Sequence, residues 1–175
     1  MRFKTNQRRT HQLLTFLFMV TFLSTANAHQ HGQATSQATS MAESVEVSEQ
    51  WARETFKLAT TAAAYATIKN AHESKSVLLI SASADASITD EVQLHDMLME
   101  DGMMKMQEIE GGIRLAPGEH VSLAPGGKHI MFLGLKKPFT EPETVSITLE
   151  FEDGSTKDVT LPVKNATNKK NMHHH

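Results

Sequence analysis

The sequence contains no cysteine. That absence excludes disulfide staples, thiol redox chemistry, cysteine-held zinc, iron–sulfur clusters and blue-copper electron transfer. Any core has to hold by packing alone. Aromatic residues are scarce at 6%, with one Trp and one Tyr in 175 residues. Cations are in deficit: 17 Lys and Arg stand against 20 Asp and Glu. The four cations Arg2, Lys4, Arg8 and Arg9, but no acidic residue, fall within the first 28 positions, so the remainder carries a net charge near −7 with His neutral. A negative chain is a poor nucleic-acid partner, because phosphate recognition needs a basic patch. No Ser-His-Asp order or carboxylate pair stands out, which leaves hydrolysis with little support.

Long apolar runs are missing as well, apart from residues 13–23 near the start. That run is shorter than the roughly 20 residues a membrane helix needs. It follows the basic segment and precedes Ala26-Asn27-Ala28, the small-residue pattern of a secretory cleavage site. The expected reading is a signal peptide over residues 1–28, cleaved after Ala28 to leave His29 as the new N-terminus. A periplasmic protein with no further membrane span is the consequence.

Residues 29–43, rich in Gln, Ala, Thr and Ser, are expected to form a disordered linker. Residues 165–175 are expected to form a second disordered tail, ending in Met172-His173-His174-His175. Between them lies one domain over residues 44–164. Its pattern predicts short strands at 64–69, 77–81, 92–99, 103–107, 113–115, 121–123, 129–133, 145–151 and 157–163. Glu100-Asp101-Gly102, Pro117-Gly118, Pro125-Gly126-Gly127 and Asp153-Gly154 supply the turns. Even spacing of short strands between such turns predicts an all-β sandwich or Greek-key barrel. A helical stretch is expected near 49–57, around Trp51.

What the chain has in abundance is Met and His, ten of each. They cluster in His95, Met97, Met99, Met103, Met104 and Met106, followed by His129 and Met131. Residues i and i+2 of a strand share a face, so His129 and Met131 can address one ligand together. With a turn centred between Glu100 and Asp101, His95 lies opposite Met106. Two imidazoles and two thioethers suit Cu(I), because soft sulfur selects it over harder divalent ions. All four donors are neutral at pH 7, and none has to lose a proton. Met97 is a possible accessory ligand. The remaining reading for Met97, Met99, Met103 and Met104 is core or rim packing, the commonest use of Met on a strand.

These residues resemble the PCu(A)C family of periplasmic copper chaperones. The family motif is a His, ten residues, a Met, about twenty-one residues, then His-x-Met. Here His95 is followed by ten residues, Met106, twenty-two residues and His129-Ile130-Met131, one longer in the second gap. The extra residue is expected in the Glu110-Gly111-Gly112 turn. Trp51-Ala52-Arg53, Ala62-Ala63-Ala64-Tyr65, Met99-Glu100-Asp101-Gly102, Pro125-Gly126-Gly127 and Phe151-Glu152-Asp153-Gly154 are similar too, over about residues 45–163. A metal-trafficking protein without catalysis of its own is expected. The resemblance implies a cupredoxin-like Greek-key barrel and Cu(I) held by His95, Met106, His129 and Met131. It also implies delivery to a copper-accepting protein such as the CuA centre of cytochrome c oxidase subunit II, or another periplasmic chaperone.

The tails offer further donors. A His at the third position, here His31 behind His29 and Gln30, can bind Cu(II) in a square plane with the amine and two backbone amides. Met172, His173, His174 and His175 could also catch copper, or be a tag remnant. Otherwise both ends are merely polar. His72 and His120 are isolated and read as surface histidines. The competing readings are a copper enzyme using His29 in a His brace, a β-sandwich interaction module with a Met-rich core, and passive copper sequestration. A monomer is expected.

Overall fold

The structure is a computed structural model and describes residues 39–166. Residues 1–28, expected as a signal peptide, His29, His31 and Met172 to His175 lie outside the described residues. The chain opens with a single helical turn, α1 (Met41–Ser44), and continues through ten strands. These are β1 (Val45–Arg53), β2 (Thr61–Asn70), β3 (Val77–Ser83), β4 (Glu91–Glu100) and β5 (Met103–Glu108). Then come β6 (Ile113–Leu115), β7 (His120–Leu123), β8 (His129–Leu133), β9 (Thr144–Phe151) and β10 (Thr156–Lys164). Among the described residues, no helix is long and apolar enough to cross a membrane.

Alternation builds most of these strands. Val145, Ile147, Leu149 and Phe151 of β9 point inward, as do Val159, Leu161 and Val163 of β10, with polar residues between them. That period of two is what a half-buried strand requires. The strands hydrogen-bond in the order β5-β4-β8-β2-β1-β10-β9-β3-β6, and β7 adds to β2. All pairings are antiparallel except β1 with β10, where Ala52 pairs with Val163. The first and last strands lying side by side join the two halves of this Greek-key sandwich, and both halves feed one hydrophobic core. Phe132 and Phe139 meet edge-on in it, centroids 5.1 Å apart.

The helix expected around Trp51 is a strand. Val45, Glu46 and Val47 pair with Asn70, Lys69 and Ile68, but the register shifts between Ser48 and Trp51. Glu49 sits there at φ 53°, a bulge that breaks the alternation. The linker also ends earlier than residue 43. Ser40 and Glu43 form a reciprocal capping box, with bonds of 3.2 and 3.0 Å, that starts α1. Asp153 then accepts the Met41 N–H at 2.8 Å and ties the turn to the β9–β10 hairpin. At the other end, Asn165 donates to Glu54 at 2.8 Å and belongs to the domain, not the tail.

Candidate metal centre

The β4–β5 hairpin is set by its turn. Asp101 and Gly102 both take positive φ, 52° and 76°, as the two central residues of a type I′ turn must. The turn therefore centres one residue later than the sequence suggested, between Asp101 and Gly102. His95 faces Glu108, and Met106 faces Met97. The expected opposition of His95 and Met106 is thus corrected by two residues. A shift of two preserves side-chain parity, so His95, Met97, Met99, Met104, Met106 and Glu108 still share one face.

β8 brings in the second pair of donors. It runs antiparallel to β4 with His95 opposite His129 and Gln93 opposite Met131. On its other side β8 pairs with β2, placing Ala63 beside Met131. The alternate residues Leu94, Ile130 and Phe132 turn into the core, at 3% exposure or less. All four motif side chains consequently lie on the same outer face of three adjacent strands. His95 and His129 are nonetheless buried, with ring centroids 5.7 Å apart.

Each imidazole is oriented by a neighbour. His129 Nδ1 lies 2.9 Å from the Gly127 carbonyl, which can only accept, so Nδ1 carries the proton and Nε2 keeps its lone pair. Gln93 donates its amide to Glu91 at 2.8 Å, and its carbonyl oxygen lies 2.7 Å from His95 Nε2. His95 therefore donates from Nε2 and has its lone pair on Nδ1. That Nδ1 is buried and has no hydrogen-bond partner. Burial holds the His95 imidazole below its ordinary range; His129 adds to this, and Glu108 and Glu91 oppose it. A neutral, unpartnered, buried nitrogen is an unusual thing to leave in a fold, since such an orphan costs about 1–3 kcal/mol. A bound cation would satisfy it.

Met97, Met106, His129 and Met131 line one cavity of about 330 Å³, and His95 stands beside it against His129. Tyr65 and Arg53 complete the wall. Trp51 packs against Tyr65 with ring centroids 4.7 Å apart and planes tilted by 40°, and burial pushes the Tyr65 phenol up while Arg53 pulls it down. Neither Tyr65, Arg53 nor Gln93 was singled out as a site residue from the sequence. The Trp51-Ala52-Arg53 and Ala64-Tyr65 stretches carried the only hint. Among the described residues no three His, Asp or Glu side chains converge, so any metal here would be held by imidazole and thioether.

The remaining candidates fall outside this centre. His72 Nδ1 accepts the Ser74 and Lys75 N–H groups, both at 3.1 Å, a local structural role. His120 is exposed on β7. Met99, Met103 and Met104 do not pack into the core: all six residues of β5 are exposed, and Met99 is 67% exposed.

A family model described as "Putative lipoprotein LpqE-like" matches residues 45–163. The chain belongs to the LpqE-like family, the PCuAC family. Within it, the "Putative lipoprotein Lxx21020" of Leifsonia xyli subsp. xyli is 38% identical over 123 residues, 70% of this chain and 71% of the relative. The LpqE-like fold is that of solved PCuAC domains. The copper-bound PCuAC domain from PmoF2 superposes with a TM-score of 0.56 at 23% identity, covering 70% of this chain and 93% of that one. CuI-DR1885 from Deinococcus radiodurans gives 0.50 at 28% identity, covering 73% and 85%. The sandwich of this LpqE-like chain is therefore cupredoxin-like.

Proposed function

We propose that this chain is an exported copper chaperone that takes up one Cu(I) through His95, Met106, His129 and Met131 and passes it to another protein. The carrying observation is the buried, unpartnered His95 Nδ1 on the same sheet face as His129, Met106 and Met131. Two imidazole lone pairs and two soft sulfurs match a monovalent soft cation. All four are neutral, so copper enters without displacing a ligand proton, and the loaded site keeps a single positive charge. The relative solved as CuI-DR1885 supports the oxidation state. Binding with release, without catalysis, is the activity this reading assigns. Met97, opposite Met106, is the donor that can replace it during exchange.

The acceptor is proposed to be the CuA centre of cytochrome c oxidase subunit II. The test mixes the Cu(I)-loaded full chain with an apo CuA domain and follows the visible absorption of the assembled centre. Transfer supports chaperoning. Copper that stays on the loaded chain would make it a sequestering protein. The ligand set is tested by Met106→Ala with Met131→Ala. Cu(I) affinity is expected to fall at least tenfold, about 1.4 kcal/mol, while the amide spectrum of the fold stays intact.

A further inference from the structure

Five of the ten methionines lie within residues 97–106, and the centre described above uses at most two of them. Met97, Met99, Met104 and Met106 form two cross-strand pairs, Met97 with Met106 and Met99 with Met104, stacked along one face of the hairpin. The Ile109 N–H donates to the Leu94 carbonyl at 2.8 Å, which makes 94 and 109 a hydrogen-bonded pair. By alternation, 97/106 and 99/104 are non-hydrogen-bonded pairs, where Cα atoms come within about 4.5 Å and side chains are closest. Met99 and Met104 are 67% and 49% exposed. Their sulfurs and methyls are held in water at the outer end of the hairpin, where packing gives no reason for them. The ion pairs described for the hairpin, Lys105 with Glu100 at 2.7 Å and Asp96 with Lys128, use residues of the opposite face, and the carboxylates of the methionine face, Glu91 and Glu108, lie at its His95 end, away from Met99 and Met104.

We propose a second soft-metal site on this face, in which Met97, Met99 and Met104 bind Cu(I) through thioethers alone. Three rotatable bonds let each Met side chain swing its sulfur onto a shared ion. Thioether donors without imidazole select soft monovalent ions of the Cu(I) and Ag(I) class. Its outer rung, Met99 with Met104, lies one pair outward from Met97–Met106, and Met97 belongs to both. A metal ion can pass along the ladder by exchanging one sulfur at a time, entering or leaving the imidazole centre by way of the hairpin tip. This role as a relay rests on the function proposed above; the thioether site itself does not.

The experiment titrates the full chain, labelled at the methionine methyl carbons, with Ag(I) in halide-free buffer, and follows each methyl and imidazole signal by NMR. The first equivalent is expected to move His95, His129, Met106 and Met131. The second is expected to move Met99 and Met104. Met103, one residue away but on the opposite face, is the internal control and should stay put. Met99→Leu with Met104→Leu should weaken the second event at least tenfold and leave the first unchanged. His95→Ala with His129→Ala should abolish the first and keep the Met99 and Met104 response. Stationary Met99 and Met104 methyls through two equivalents would overturn the proposal, whatever the imidazoles do. Moving methyls with silent imidazoles would uphold it and sink the four-ligand centre instead.

Discussion

Replacing Gln93 by Leu should weaken Cu(I) binding without touching a ligand. Gln93 links Glu91 to His95: its amide donates to Glu91 at 2.8 Å and its carbonyl oxygen meets His95 Nε2 at 2.7 Å. Glu91 can only accept, so Gln93 cannot present its amide to the imidazole without losing that bond. The chain of bonds therefore fixes the tautomer of His95, with the proton on Nε2 and the lone pair on the buried Nδ1. Partners of this kind are worth 10–100-fold in metal affinity. Gln93 is partly exposed, and water can replace its carbonyl, so the lower end applies: about tenfold, or about 1.4 kcal/mol. Competition against a chromophoric Cu(I) chelator reads the affinity. Nitrogen-15 imidazole spectra of the apo protein read the tautomer, expected as Nε2–H in the wild type and mixed in Gln93→Leu. Affinity within twofold of wild type together with a mixed tautomer would refute the coupling. An unchanged tautomer would refute the orienting role itself.

Further outcomes follow from other contacts. Because burial lowers the His95 pKa, the unfolded chain takes up that proton near about 6.5 and the fold only at lower pH. The apo protein should hold this contribution in full above that value and lose it as pH falls through the lowered one. The urea midpoint of wild type should drop more steeply below pH 6.5 than that of His95→Gln; parallel curves would count against the buried neutral imidazole. Asn70 is fully buried, donates to the Lys75, Leu115 and Ala116 carbonyls at 2.8–3.2 Å, and accepts the His72 N–H at 2.9 Å. Asn70→Ala should cost about 2–4 kcal/mol in urea unfolding, since several groups are orphaned at once. Gly112 has φ 81°, and a Cβ there would sit 2.2 Å from the Leu79 carbonyl oxygen. Gly112→Ala should cost more than about 2 kcal/mol and raise hydrogen exchange along β6; wild-type stability would contradict that close approach.

The strands were legible wherever burial alternates. Residues 113–115 and 129–133 were placed to the residue, and the ends of β4, β9 and β10 to within one. β1 was misread because the bulge at Glu49 brings Trp51 and Ala52 both inside, a pattern closer to helical than to period two. The hairpin turn was assigned one residue early because Glu100-Asp101-Gly102 offers two centres, and only positive φ at both Asp101 and Gly102 decides between them. The motif residues were visible as types and spacings. Their supports were not: Gln93 and Gly127 each sit two residues before the imidazole they orient, where residue type alone does not mark them, and Tyr65 reaches the centre only through the β2–β8 pairing. No local pattern encodes which strands become neighbours.

The same strand order bears on how such a centre could release its metal. His129 and Met131 sit on β8, which is hydrogen-bonded on both sides, and His95 on β4, which is bonded on both sides through its first half. Their backbones also carry Leu94, Ile130 and Phe132 into the core, so the imidazoles cannot shift without disturbing it. Met106 differs on every count: β5 is an edge strand, exposed throughout, held only by β4. Opening of such an edge is cheap compared with global unfolding, because few buried contacts are lost. Withdrawing Met106 would leave a metal on two fixed nitrogens and one sulfur, facing solvent on the side where the acceptor must approach. On this reading the rigid strands would set the affinity and the edge strand the exchange rate. Cross-linking β5 to β4 through Leu98→Cys and Lys105→Cys, a pair on the opposite face, should slow copper transfer several-fold while leaving Cu(I) affinity within about twofold. Equal transfer rates with the bridge closed and reduced would mean that the hairpin does not gate release.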